Sequence, residues 1–317
     1  MTAEPAGSPQ QPNAGKQPDV DEGTTRIAER LDPRILARLK GLRVRAHRIV
    51  EGYVAGLHRS PFRGFSIEFA EHREYVPGDD LRYVDWKVYG RTDKYYVKQY
   101  EDETNLVCYL LLDVSESMRY QGPGAPLSKF EYAQCLAAAL GYLVVMQRDA
   151  VGLATFDNQL RQWLRPAGNP AHHQQLMSIM ESTRPVAKTA MDQTLHAIAE
   201  RLTKRSLVYI FSDCLDDPDA LLRGLKHFRH RRHEVTLLQI LDPYELEFPF
   251  RGTTLFRGLE QFPDLVADPS SLRAAYLEEL QHFLRVVRSG TVELGMAYRL
   301  LRTDQPFDRA LTTILHH

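Results

Sequence analysis

The sequence lacks the features of a strongly basic, membrane-spanning or secreted protein. Its formal net charge is −1 over 317 residues, which argues against a general nucleic-acid binder. Its longest apolar run, Cys135 to Met146, contains a glycine and is far shorter than the ~20 residues needed to cross a bilayer. The N-terminus has no charged start followed by an apolar core, so no signal peptide is predicted. We therefore expect a cytoplasmic protein with no transmembrane segment and no nucleic-acid partner.

Cysteine is scarce as well. There are three cysteines: Cys108 and Cys214 lie in or beside apolar strand patterns, and Cys135 lies on a predicted helix. An odd number of thiols in such positions is typical of reduced core residues in a cytoplasmic protein. No cluster of cysteine and histidine in the sequence indicates a zinc site.

Two motifs of enzyme chemistry are also missing. The sequence contains no Gly-x-x-x-x-Gly-Lys-[Ser/Thr], so any ATP chemistry would have to come from a partner. The histidines are scattered and support no Ser–His–Asp arrangement; His172 and His173 lie at the start of a predicted helix.

Composition separates an N-terminal tail and a basic helix from the rest of the chain. Residues 1–25 are rich in Pro, Gly, Gln, Ala and Asp and are predicted to be disordered. Residues 26–55 contain a predicted amphipathic helix from about Pro33 to Val54. Its apolar positions are Ile35, Leu39, Leu42, Ala46, Ile49 and Tyr53. The favoured interpretation is a helix that docks on the main domain with its basic side in solvent; contact with a membrane surface or a partner is the alternative.

Residues 56–104 form a polar segment rich in aromatic residues. The run Pro77-Gly78-Asp79 predicts a turn, and the alternation from Tyr95 to Glu101 predicts a strand. We expect a small β-rich segment that packs on the main domain. Its many charged residues either fasten it there through ion pairs or recognise a partner, and the pattern does not separate these two interpretations.

Strands and helices alternate through residues 105–317. The predicted strands are 105–113, 151–156, 206–211, 234–241 and 297–303, with a hairpin partner at 159–164. The predicted helices are 128–147, 170–183, 190–203, 218–229, 269–288 and 306–315, and residues 243–267 are expected to be irregular with short strands. This order predicts an α/β fold with a mainly parallel sheet flanked by helices.

Oxygen side chains follow two of the predicted buried strands. Asp113, Ser115 and Ser117 end the first, and Asp213 ends the second. The carboxyl ends of parallel strands lie along one edge, where open α/β sheets bind their ligands. Hard oxygen ligands favour Mg²⁺, with Mn²⁺ or Ca²⁺ as alternatives. On the residues alone, an equally weighted interpretation is that Asp113 is a turn or cap residue and the serines are ordinary loop residues.

A family resemblance adds to this pattern. The run Asp113-Val-Ser115-Glu-Ser117 resembles the Asp-x-Ser-x-Ser element of von Willebrand factor A domains, which forms a metal-ion-dependent adhesion site. The resemblance implies that Thr189 and Asp213 complete the metal site. Lys188 stands directly before Thr189, where the family usually has a glycine. Thr194 is the alternative candidate for the family's threonine ligand. The resemblance also implies a von Willebrand factor A-like, Rossmann-like sheet.

The upstream block resembles a second family. The stretch Gly64 to Glu101, which includes Pro77-Gly78-Asp79 and Trp86, is similar to the domain of unknown function 58 family, and so is Tyr298 to Leu311. In that family the block runs directly into the adhesion-site strand. Many members carry two N-terminal membrane helices, which this sequence does not show, and members are typically encoded beside MoxR-type AAA+ ATPases. The resemblance implies an adaptor that works with such an ATPase in protein maturation or complex assembly.

Electrostatics predicts a binding mechanism for this site, and two alternative functions remain. Ser115 and Ser117 would ligate the ion, Asp113 and Asp213 would bind it directly or through water, and an acidic side chain of a protein partner would complete the shell. A Mg²⁺-dependent phosphohydrolase and a scaffold with a vestigial site are the alternatives. Phosphatases of the haloacid dehalogenase type need a second aspartate, as general acid, at the position that Ser115 occupies, so no enzyme activity is expected.

Overall fold

The computed structural model describes residues 31–57, 72–74, 96–98, 106–186, 188, 190–259 and 263–315. Thr189, the predicted disordered tail and most of the 56–104 segment lie outside the described residues. The helices are α1 (Pro33–Leu36), α2 (Leu42–Leu57), α3 (Lys129–Met146), α4 (Pro170–Ser182), α5 (Met191–Arg201), α6 (Pro218–His230), α7 (Pro243–Glu247), α8 (Pro269–Glu293) and α9 (Phe307–Leu315). The strands are β1 (His72–Glu74), β2 (Tyr96–Lys98), β3 (Val107–Asp113), β4 (Ala150–Phe156), β5 (Leu160–Ala167), β6 (Leu207–Ser212), β7 (Glu234–Leu241), β8 (Thr254–Phe256), β9 (Leu265–Ala267) and β10 (Ala297–Arg302).

The main sheet has six strands in the order β10-β7-β6-β3-β4-β5. All neighbours are parallel except β5, which pairs antiparallel with β4 as its predicted hairpin partner. The chain moves outward from β3 to β5 and then returns to the other side of β3 with β6. The strand order therefore reverses between β3 and β6, as in doubly wound α/β folds. The predicted class, a mainly parallel sheet flanked by helices, is confirmed.

Strand β3 lies in the middle of this sheet because both of its faces are apolar. Leu110 and Leu112 pack into the core on one side of the sheet, and Tyr109 and Leu111 pack into the core on the other. Alternate side chains of a strand point to opposite faces, so a continuous apolar run is required when both faces are covered. Truncating one of these leucines to alanine costs roughly 2–5 kcal/mol.

Helices cover the two faces of the sheet separately. Helices α2, α3, α4 and α9 contribute to the first core, and α5, α6 and α8 contribute to the second. Helix α3 begins with the predicted capping box, in which Ser128 accepts from the backbone N–H of Glu131 and the Glu131 carboxylate accepts from that of Ser128. This cap fixes the start of α3 directly above the carboxyl end of β3.

The N-terminal basic helix differs from its prediction. A single helix from Pro33 to Val54 is wrong: α1 ends at Leu36, residues 37–41 are not helical, and Gly41, with a φ of +84°, directly precedes α2. Ile35 consequently leaves the apolar face and is 43% exposed, whereas Leu42 and Ile49 are buried in the core. Helix α2 docks on α3 and α4, as the favoured interpretation expected. Among the described residues, no helix is both long and apolar enough to cross a bilayer.

Candidate functional site

The structure brings four of the five predicted metal-site residues together where the strand order reverses. Asp113 is the last residue of β3, and Asp213 follows the last residue of β6, the strand beside it. Asp113, Ser115 and Asp213 are fully buried, and Ser117 is nearly so. The carboxyl edge at this point is the usual ligand site of open α/β sheets.

Asp113 is a buried carboxylate held by hydrogen bonds from Ser115 and Ser212. Its Oδ1 accepts from the backbone N–H of Ser115 at 2.8 Å, and its Oδ2 accepts from the hydroxyl of Ser212 at 2.5 Å. In the part of the chain that the structure describes, no basic side chain forms an ion pair with Asp113. Burial, with a further contribution from the charge of Asp213, outweighs the hydrogen bonds and raises the pKa of Asp113 to about 7. A bound cation would stabilise the ionised form.

The hydroxyls of Ser115 and Ser117 face each other beside Asp113. Their Oγ atoms lie 3.0 Å apart and share a hydrogen bond. Ser115 precedes the 3₁₀ turn Glu116–Arg119, but its hydroxyl makes no capping hydrogen bond. Neighbouring oxygens in an octahedral Mg²⁺ shell are about 3 Å apart, given metal–oxygen distances near 2.1 Å. The two hydroxyls and the Asp113 carboxylate are therefore suitable donors for a hard divalent cation.

Sequence reasoning missed the most unusual member of the site, Lys129. It is the first residue of α3, and its side chain is fully buried. Its Nζ donates to Oδ2 of Asp213 at 2.8 Å and to Oε1 of Glu245 at 2.6 Å. Burial alone would lower the pKa of Lys129, but the two carboxylates outweigh burial, and the net pKa lies above the ordinary value. In the sequence, Lys129 is only a lysine that follows a cap residue, a position that is usually exposed.

Glu245 and Asp242 come from a third strand end that sequence reasoning treated as irregular. Asp242 follows β7 and caps α7 by accepting from the backbone N–H of Tyr244 at 2.8 Å. Its Oδ2 accepts from the backbone N–H of Gly122 at 3.0 Å and from the hydroxyl of Thr303 at 3.2 Å. The Glu245 carboxylate accepts in return from the backbone N–H of Asp242 at 2.8 Å. The spacing Asp-x-x-Glu before a short helix was the available signal.

The threonine position stays a prediction. Thr189 lies outside the described residues. Its proposed substitute, Thr194, is buried in α5, where its hydroxyl donates to the backbone carbonyl of Asp157 at 3.3 Å. Within the described ranges, no group of three or more His, Cys, Asp or Glu side chains is placed to hold a metal ion. A cation at this edge would therefore depend on serine hydroxyls as well as on carboxylates.

Solved structures similar to this one include two from different sources. The conserved hypothetical protein BatB from Bacteroides thetaiotaomicron is 16% identical, with a TM-score of 0.46 over 65% of this chain and 95% of that chain. The VWA domain of SpRpn10 is 14% identical, with a TM-score of 0.40 over 65% of this chain and 94% of that chain.

Sequence comparisons match most of the chain. Uncharacterized protein Mb1516 of Mycobacterium bovis and uncharacterized protein Rv1480 of Mycobacterium tuberculosis are each 30% identical over 233 residues, which is 72% of this chain and 72% of theirs. A family model described as "Protein of unknown function DUF58" matches residues 71–282, a range that includes Asp113, Lys129 and Asp213. The chain therefore belongs to the DUF58 family.

Proposed function

We propose that this protein is a metal-dependent protein-binding adaptor. Asp113, Ser115 and Ser117 would hold a divalent cation, Mg²⁺ foremost and Mn²⁺ or Ca²⁺ as alternatives, with Asp213 and Thr189 as the remaining members of the site. The observation that supports this most directly is a buried carboxylate without a described counter-ion, placed beside two hydroxyls that lie 3.0 Å apart. Such oxygen donors favour hard cations.

The protein's own groups prepare the site for an acidic partner. When bound, the cation supplies positive charge for an outside carboxylate. Ser115 and Ser117 are neutral, and Asp213 is already paired with the Lys129 ammonium. Among the predicted site residues, Asp113 is therefore the carboxylate that has no described ion pair. We propose that an aspartate or glutamate of a protein partner provides the charge that is missing.

The proposed role is binding rather than catalysis. Ser115 takes the position two residues after Asp113 where a phosphatase of similar architecture needs a carboxylic acid, and a hydroxyl is a poor proton donor near neutral pH. A screen of phosphate esters with Mg²⁺ and Mn²⁺ tests the alternative. Turnover that disappears in Asp113→Ala would show that the site is catalytic.

The metal dependence is tested by titrating chelator-treated protein with Mn²⁺ in a calorimeter. We expect binding by the wild-type chain and none by Asp113→Ala. Asp157→Ala is the matched control: Asp157 is also a fully buried carboxylate just after a strand of this sheet, but Arg161 pairs with it at 2.6 Å. The control should retain Mn²⁺ binding. Loss of binding in both variants would indicate a general effect of removing a buried carboxylate.

The partner is proposed from the family resemblance, which implies a MoxR-type AAA+ ATPase. A pull-down from a lysate of the native host, with and without chelator, tests this. We expect a MoxR-type ATPase or its client protein to be retained by the wild-type chain only when divalent metal is present. Equal retention by a folded Asp113→Ala variant in chelator would contradict the metal-bridged mechanism.

A further inference from the structure

We infer that Lys129 is a positioning residue that sets the ligands of the cation site by holding Asp213 out of direct contact with the cation, which Asp213 would then reach only through water. This inference rests on the proposed function, because it concerns how the same site selects a carboxylate partner. As a consequence, Asp113 is the only one of the two strand-end aspartates, Asp113 and Asp213, that can ligate the ion directly.

Both carboxylate oxygens and the backbone carbonyl of Asp213 accept hydrogen bonds. Its Oδ2 accepts from Lys129 Nζ at 2.8 Å, and its Oδ1 accepts from the backbone N–H of Leu215 at 3.2 Å. Its backbone carbonyl accepts from Nε2 of Gln239 at 2.8 Å. Moving the Asp213 side chain onto a cation would break a buried charged hydrogen bond, which is among the stronger interactions in proteins.

The Lys129 ammonium is itself fixed by a second carboxylate. Glu245 Oε1 accepts from Nζ at 2.6 Å, while its Oε2 accepts from the backbone N–H of Asp242 in the capping box of α7. The ammonium therefore lies between Asp213 and a glutamate that α7 orients. A buried lysine is costly without partners, so this arrangement keeps Lys129 charged and in place.

The carboxylate charges that face the cation show the effect of the Lys129 ammonium on the site. A divalent cation that faced both Asp113 and Asp213 without Lys129 would be fully neutralised by them. With Lys129 hydrogen-bonded to Asp213, only the Asp113 carboxylate is free to ligate the cation directly, and the ammonium, which Glu245 shares, keeps a positive charge beside Asp213. In a buried, poorly screened site, a cation with one carboxylate ligand attracts an external carboxylate and is itself bound less tightly. Lys129 thus favours the acidic partner over tight metal binding.

The test compares four chelator-treated chains: the wild type, Lys129→Met, Lys129→Met with Glu245→Gln, and Glu245→Gln alone. Methionine has a side chain of similar length without the charge. The double variant also neutralises Glu245, which would otherwise be left buried without a cation, while glutamine can still accept from the Asp242 N–H. Circular dichroism and thermal melting in chelator establish which chains fold.

Two affinities are then measured, for Mn²⁺ by calorimetry and for acetate by water-proton relaxation of the Mn²⁺-loaded chain. We expect the double variant to bind Mn²⁺ about tenfold more tightly than wild type, because a second carboxylate becomes available, and to bind acetate more weakly. Glu245→Gln should change Mn²⁺ affinity in the opposite direction, because it leaves the ammonium with one carboxylate instead of two. If the variants at Lys129 do not fold, the Mn²⁺ affinity of Glu245→Gln tests the role of Lys129.

The outcomes separate this inference from the proposed function. Suppose that the wild type binds Mn²⁺ in a manner that depends on Asp113, and that the folded double variant binds Mn²⁺ with the same affinity. This result would overturn the inference and leave the proposed function intact. Mn²⁺ binding by the double variant alone would support the inference and overturn metal binding by the natural chain. If neither binds Mn²⁺, both ideas fail. If only Glu245→Gln folds, unchanged or tighter Mn²⁺ binding overturns the role of Lys129.

Discussion

The hydroxyl of Ser212 donates to Oδ2 of Asp113 at 2.5 Å and so joins the last residues of two neighbouring strands. The same hydroxyl accepts from the backbone N–H of Cys214 at 2.9 Å. Cys214 has a φ of +58°, an unfavourable conformation for a residue with a side chain. Ser212 therefore holds the Asp113 carboxylate and the turn that contains Asp213 in one arrangement.

Replacing Ser212 with alanine is predicted to lower both stability and metal affinity. Asp113 would lose the Ser212 hydroxyl as a hydrogen-bond donor, and the buried Cys214 N–H would lose its acceptor. We expect a loss of about 1–3 kcal/mol in the free energy of unfolding, measured by urea denaturation, together with weaker Mn²⁺ binding. Ser206→Ala, just before the start of β6, is the control, because its hydroxyl donates only to the backbone carbonyl of Lys204. Equal loss of Mn²⁺ affinity in the control would show that Ser212 does not act through Asp113.

Replacing Asp113 with asparagine is predicted to stabilise the metal-free protein at neutral pH. The pKa of Asp113 rises from 3.8 to about 7 on folding, chiefly because the group is buried. The folded state then binds its proton more tightly than the unfolded state, so the contribution of Asp113 is present below pH 3.8 and is lost as the pH rises towards 7. The full loss is about 4 kcal/mol, at 1.36 kcal/mol for each pKa unit.

The measurement is the free energy of unfolding in chelator at several values between pH 4 and pH 8. We expect the difference between Asp113→Asn and wild type to grow in favour of the variant as the pH rises. Other groups titrate in both chains and cancel in this difference. A difference that does not change with pH would contradict the raised pKa. Added Mn²⁺ should stabilise the wild type alone.

The fold and the meeting of Asp113 with Asp213 follow from local features of the sequence. Strands β3 and β6 are continuous apolar runs, and such runs indicate strands buried on both faces without any knowledge of their neighbours. Asp113 and Asp213 directly follow these runs. Since the strands are parallel, the rule that their carboxyl ends share an edge was enough to predict that the two aspartates meet.

The charge balance of the site does not follow from local features. Lys129 lies 84 residues from Asp213 and 116 residues from Glu245 along the chain, and no periodic pattern connects them. A lysine in the first turn of a helix is ordinarily solvated, so its burial depends on where α7 packs. The break between α1 and α2 was missed for a different reason: the apolar spacing continues across residues 37–41, although this stretch is not helical and ends in Gly41 with a positive φ.

Replacing Gly122 with alanine is predicted to disturb the loop that precedes α3. A Cβ atom at this position would lie 2.3 Å from Oδ1 of Asp242, so that side chain would have to move. Movement would break its hydrogen bond from the Gly122 N–H and disturb the cap of α7, for an expected loss of roughly 2–4 kcal/mol in the free energy of unfolding. Gly124→Ala is the contrast, because no atom lies within 4 Å and the cost is that of a φ of +81° alone, about 1–2 kcal/mol. A smaller loss for Gly122→Ala than for Gly124→Ala would contradict the steric explanation.

Replacing Ile49 with alanine is predicted to destabilise the whole main domain, because α2 is part of its core. Ile49 is fully buried in the same apolar core as β3 and α3, and truncation should cost roughly 2–5 kcal/mol in the free energy of unfolding. Val44→Ala is the matched control on the same helix, since Val44 is 47% exposed and its loss should cost under about 0.5 kcal/mol.

Thermal unfolding followed by circular dichroism shows whether α2 unfolds with the main domain or separately from it. If Ile49→Ala left the main transition unchanged and only introduced an early, separate one, α2 would be an independently detaching helix. A single transition shifted to lower temperature would mean that α2 unfolds together with the main domain. Helix α2 could then reach a membrane or a partner only if the domain that carries the candidate metal site unfolds.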